Sequence, residues 1–152
     1  MQHKRGARYQ RIILLVLAAI PAAYSCGGGA TPSDTAPPSI TRVNGGLSTV
    51  PSPITRAGGT ATVTVDVTDS SGVDPNSVKA DVTRGGVSII GGPQAMYGFN
   101  SNQNRYYYQA SLPANSNNAA DDIYTFTVTA ADLKGNRVNP AFNVGTVTVP
   151  NR

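Results

Sequence analysis

Residues 60–68 read TATVTVDVT, a strict alternation of polar and apolar side chains. Successive side chains of a β-strand point to opposite faces, so as a strand this segment has one apolar and one wet face. As a helix it would have neither. The same period of two returns in residues 123–132 (IYTFTVTAAD), where Tyr124, Phe126, Val128 and Ala130 alternate with Thr125, Thr127 and Thr129. Val78, Ala80 and Val82 predict a third strand. Tyr106, Tyr108, Ala110 and Leu112 predict another, ended by Pro113, and Val147 and Val149 mark a last one within residues 146–149. Residues 39–43 predict the first strand, after the rigid Pro37-Pro38 pair. Between these runs lie Asp69-Ser70-Ser71-Gly72, Gly85-Gly86, Gly91-Gly92-Pro93 and two Asn-rich stretches at residues 100–104 and 115–118. Such residues supply the positive-φ and side-chain-bonded positions that turns need. The pattern predicts an all-β chain with a single β-sandwich over residues 39–150, about the size of one such domain.

The first residues obey a different rule. Lys4, Arg5, Arg8 and Arg11 precede residues 12–23, which are almost wholly apolar. A positive region, a short apolar region and a small-residue cleavage site are the three parts of a secretory signal. Twelve residues rise only about 18 Å as a helix, short of the roughly 30 Å hydrocarbon core, so a cleavable signal helix over residues 1–25 is expected rather than a permanent span. The chain's one cysteine, Cys26, follows directly. Residues 27–38 (GGGATPSDTAPP) read as a linker, flexible at the Gly end and stiffer at the Pro end.

The segment Ala22-Ala23-Tyr24-Ser25-Cys26 resembles the lipobox of bacterial lipoproteins. That family usually has Leu three residues before the Cys and a small residue two before, where this chain has Ala23 and Tyr24; Ser25 fits the last position. The resemblance implies cleavage before Cys26, acylation of its thiol and attachment to a membrane. Gly27 in place of Asp after the Cys is compatible, on the same resemblance, with transfer to an outer membrane. Two or more acyl chains anchor a protein stably without a spanning helix. The alternative is an ordinary A-x-A-like cut at the same bond, which leaves a secreted domain with a free thiol.

Charge and composition narrow the chemistry. Four of the twelve basic residues lie in the signal, so cleavage leaves eight against eight aspartates, with no basic run to pair with phosphates. Nucleic-acid binding loses its electrostatic warrant. The one His, His3, is also in the signal, and the chain has no Glu and no Trp. Ser-His-Asp and Cys-His catalysis, imidazole metal sites, thiolate zinc and an internal disulfide are all unsupported beyond Cys26. A non-catalytic domain without cofactor is expected. A small hydrolase would require two Asp facing each other across a cleft at about 5–9.5 Å.

Over most of residues 39–150 the chain resembles bacterial immunoglobulin-like and fibronectin-type-III-like modules. The resemblance rests on residues 57–65 (AGGTATVTV), residues 122–128 (DIYTFTV) and residues 131–136 (ADLKGN). It implies an immunoglobulin-like sandwich, with Tyr124 as a tyrosine corner and residues 131–136 as the hairpin entering the last strand. The Cys–Trp–Cys core of antibody domains is absent.

Three features compete for a binding role. In Tyr106-Tyr107-Tyr108, either two rings face the core and Tyr107 faces out, or the reverse with the register slipped. Exposed Tyr97, Phe99 and Tyr107 would form a platform for sugar rings or a partner, although aromatic residues also favour strands for packing alone. Asp69, Asp74, Asp121, Asp122 and Asp132 could gather at loop ends around Ca²⁺, but Asp-x-x-Gly turns need no metal. The glycine pairs lead into no helix and carry no Gly-Lys-Ser/Thr, so they read as turns rather than phosphate loops. The expectation is a lipid-anchored surface module that binds, spaces or scaffolds through a protein or glycan partner. The runner-up is a secreted or surface adhesion module that holds carbohydrate on its tyrosines.

Overall fold

The computed structural model describes residues 33–100, 103–116 and 120–152. The signal segment and Cys26 lie outside them. Residues 33–152 belong to one compact unit, Pro32–Arg152. Its strands are β1 (Ser39–Thr55), β2 (Gly58–Thr68), β3 (Lys79–Arg84), β4 (Val87–Ser88), β5 (Gln94–Ala95), β6 (Tyr97–Asn100), β7 (Gln103–Leu112), β8 (Asp122–Thr129) and β9 (Phe142–Val149). One 3-10 turn, Pro75–Ser77, is capped by the Asp74 side chain, which accepts from the Asn76 N–H at 3.0 Å. Among the described residues no helix is long and apolar enough to cross a membrane.

The strands form two antiparallel sheets, ordered β1-β2-β7-β6 and β4-β3-β8-β9, with β5 paired to β3. The alternation in the sequence becomes the inside and outside of these sheets. Ala61, Val63, Val65 and Val67 of β2 are completely buried, as are Val82 of β3 and Tyr124, Phe126 and Val128 of β8. With Tyr106, Ala110 and Leu112 of β7 and Val144, Val147 and Val149 of β9 they make one core cluster. Burial of each Val, Leu or Phe among them contributes about 1.5–3 kcal/mol, which sets the register of every inner strand.

Two strands run further than the sequence pattern predicts, for one physical reason. β9 starts at Phe142 rather than residue 146, because a register shift opposite Phe126/Thr127 changes its phase and turns Val144 inward three positions before Val147. β1 runs to Thr55 rather than residue 43, through a bulge between Arg42 and Leu47. There Asn44, Gly45 and Gly46 take φ of 50°, 85° and 86°. Gly46 lies against Val144, and a Cβ would come within 2.7 Å of its Cγ1. A bulge adds an unpaired residue and breaks the period of two, so strict alternation cannot find these segments. Pro51 and Pro53 have no N–H to donate and are tolerated because β1 is an edge strand, with ladder bonds to β2 alone. Arg42 covers the neighbouring edge, donating to the Asn143 carbonyl at 2.9 Å and lying 5.7 Å from the Phe142 ring centre.

Candidate functional site

The outer face of the β1-β2-β7-β6 sheet carries the aromatic candidates. Register sorts the tyrosine run: Tyr106 pairs with Val65 and Tyr108 with Val63 on the inner side, and Tyr107 pairs with Thr64 on the outer side. Burial pushes the phenol pKa of Tyr106 and Tyr108 upward. Tyr97 of β6 sits opposite Tyr107 across the ladder. Their ring centres are 5.6 Å apart, tilted by 35°, and Tyr97 is 64% exposed. Phe99 belongs to β6, but its side chain lies outside the described residues.

The register continues this face in rows across the sheet. Arg105, Asp66 and Thr41 form the row on one side of Tyr107–Thr64; Gln109, Thr62 and Ser48 form the row on the other side, followed by Ser111, Thr60 and Val50. Arg105 donates to both oxygens of Asp66, at 2.8 and 3.1 Å. That hydrogen bonding holds the guanidinium more firmly protonated. Gln109 reaches the Thr62 hydroxyl at 3.4 Å. Beside the Asp66–Arg105 pair is an open groove of about 360 Å³, lined by Asp66, Thr68, Asn104 and Arg105.

A second cluster forms at the sandwich end that contains the β8–β9 loop. The five aspartates considered for calcium do not gather as a group. Asp121 accepts from the Asn151 N–H and Asp122 pairs with Arg84 at 2.9 Å, both at the opposite end, while Asp74 caps the 3-10 turn. Asp69 and Asp132 do meet, and the third carboxylate is Asp34, from the segment read as linker; all three offer oxygens within 4.8 Å of one another.

Each of the three is engaged in local structure. Asp132, 2% exposed, accepts from the Lys134 and Asn136 N–H groups at 2.8 Å each and from the Asn136 amide at 2.6 Å. Burial pushes its pKa up, but these donors and Ser71 outweigh it, and the net direction is down. Asp69 accepts from the Ser71 N–H at 2.7 Å. Asp34 accepts from the Ser70 hydroxyl at 2.8 Å and the Ala36 N–H at 3.0 Å, which lower its pKa, Ser70 foremost. The Asn136 amide also donates to the Asp34 carbonyl at 3.0 Å. Downward shifts are the reverse of what a carboxylic general acid needs. The cluster closes loops and fastens residues 33–38 to the sandwich, and Pro38 within that segment is buried.

Asn115 and Tyr124 take structural places that the sequence reading did not give them. Asn115, read as a loop residue, is 1% exposed; its amide donates to the Ala120 and Val149 carbonyls at 2.9 and 3.2 Å. Among the described residues, the hydrogen bond of the tyrosine corner expected at Tyr124 is absent. The ring is fully buried, and its hydroxyl has no hydrogen-bond partner of regular geometry. Its polar neighbour is the Arg84 guanidinium, whose pKa is raised by the Asp122 charge first and by Tyr124 second. Arg84 and Tyr124 are directly paired across β3 and β8, which puts their side chains on one face. No family model, curated protein or solved structure matches this chain.

Proposed function

We propose that the protein is an exported bacterial lipoprotein whose domain is a non-catalytic, immunoglobulin-like binding, spacer or scaffold module held at the cell envelope by acylated Cys26. The observation that carries this reading is the place of the one cysteine, at the end of a signal-like segment and ahead of a Gly-rich stretch. The strand orders β1-β2-β7-β6 and β4-β3-β8-β9 support the immunoglobulin-like part. They correspond to the A-B-E-D and C-F-G sheets of constant-type domains, with β4 as an added edge. The anchor supplies location, and the outer sheet face or the loops supply contacts. The paired rings of Tyr97 and Tyr107 favour the adhesive, carbohydrate-holding form of this function.

Intact mass of the protein purified from host membranes, beside a Cys26→Ala variant, tests the reading. A mass that begins at Cys26 and carries acyl chains is expected, with precursor build-up or release in the variant. A soluble, unacylated chain, and a variant exported equally well, would end the anchoring hypothesis.

A further inference from the structure

We infer that the outer face of the β1-β2-β7-β6 sheet is a platform for an uncharged polysaccharide, with one sugar ring on the Tyr97–Tyr107 pair and the next in the groove beside Asp66 and Arg105. The inference rests on the reading of the domain as a binding module and names its ligand class.

Three observations on one face point to this chemistry. The ring pair presents an aromatic surface of which Tyr97 is 64% exposed. The negative face of an aromatic ring attracts the weakly positive C–H groups that line one side of a pyranose. The row next to it holds a groove of about 360 Å³, within the span of small-ligand sites. Its lining is Asp66, Thr68, Asn104 and Arg105, a hydroxyl, an amide and an ion pair. A guanidinium has five N–H donors and a carboxylate about four acceptor sites. The bidentate contact uses two of each, which leaves both groups able to hold vicinal hydroxyls.

Charge decides the ligand class. Asp66 and Arg105 neutralise each other, and the other described outer positions of β2 and β7 are Thr60, Thr62, Thr64, Thr68, Tyr107, Gln109 and Ser111. Such a face offers no net attraction to a polyanion and matches a neutral, hydroxyl-rich chain. Its threonine and serine rows also dilute the apolar area that the centre of a protein interface needs.

The test is affinity electrophoresis of the full-length protein through native gels that contain galactomannan, xyloglucan, soluble β-1,3-glucan, dextran, or, as anionic comparisons, hyaluronate and polygalacturonate. At least one neutral polymer is expected to retard the protein. Tyr97→Ala and Tyr107→Ala are expected to weaken that retardation by about tenfold or more, as loss of a central aromatic anchor does. Ile123→Ala, exposed on the other sheet, is expected to leave it unchanged. Raising salt from about 50 to about 500 mM is expected to change it little, since no net charge is being screened. Retardation by none of the neutral polymers, by the anionic ones alone, or equally in the tyrosine variants would overturn the inference. So would an envelope protein that the wild type captures and Tyr97→Ala does not, since the face would then serve a protein. The Cys26 mass measurement is independent of every one of these outcomes.

Discussion

Single side chains in this molecule do work that their residue type conceals. Tyr124 is fully buried, and among the described residues its hydroxyl has no hydrogen-bond partner of regular geometry. An unsatisfied buried polar group costs about 1–3 kcal/mol, and its removal together with conservation of the ring should recover part of that. Tyr124→Phe is therefore expected to be neutral or stabilising by about 1 kcal/mol in urea unfolding. A loss of that size would show that the hydroxyl is held, with Arg84 the partner at hand. Asp132 has the opposite character, a buried carboxylate with donors on both oxygens. Its folded pKa lies below the ordinary 3.8, so the stability it contributes is present above that value and fades as pH falls through the folded pKa. Asp132→Asn is expected to lower stability at neutral pH and to flatten the loss below about pH 3.8, read from unfolding midpoints across an acid series.

Strands and turns are held by close backbone approaches as much as by side chains. The hairpin from β1 to β2 turns through Arg56 and Ala57, with Thr55 paired to Gly58. Gly58 has φ of 77°, and a Cβ there would overlap the Leu112 carbonyl and the backbone of Pro113. An L side chain meets both a left-handed backbone and a clash that β7 cannot relieve without moving. Gly58→Ala should cost about 3 kcal/mol, as two separate penalties add. Gly85, with φ of 58° and nothing near its missing Cβ, carries the backbone penalty alone. Gly85→Ala should therefore cost about 1–2 kcal/mol, and equal losses at the two positions would contradict the packing argument.

At the scale of the molecule, the two ends of the sandwich are closed differently. Asn115 ties the turn after β7 to the end of β9 and to the β1–β2 hairpin, where Arg56 and Asn115 exchange backbone and side-chain hydrogen bonds at 2.9 and 3.1 Å. The other end is tied by Asp34, Asp69, Asp132 and Asn136, which bring residues 33–38 onto the domain. Asp34→Ala removes the hydrogen bonds from Ser70 and Ala36. It is expected to speed proteolytic cleavage within residues 33–38 severalfold, with little change in the unfolding midpoint of the sandwich, since local opening and global unfolding are separate events. An unchanged cleavage rate would mean that the Asn136 contact to the Asp34 carbonyl suffices.

The all-β character, the inward residues of β2, β3, β7 and β8, and the placement of turns were legible in the sequence because burial on one sheet face imposes a period of two. Where that period is interrupted, it loses its meaning. The bulges in β1 and β9 hid most of one strand and Val144 of the other, and β4, β5 and β6 are too short to show an alternation. The candidate site divides the same way. Tyr97 and Tyr107 could be named as exposed rings, but their pairing depends on the register of β6 against β7. The Asp66–Arg105 groove joins residues 39 positions apart, and the acidic cluster joins Asp34 to Asn136 across 102. Local pattern determines which way a side chain faces. Which side chains share a face is decided by strand order and register, and those are fixed only when the two sheets close over a common core.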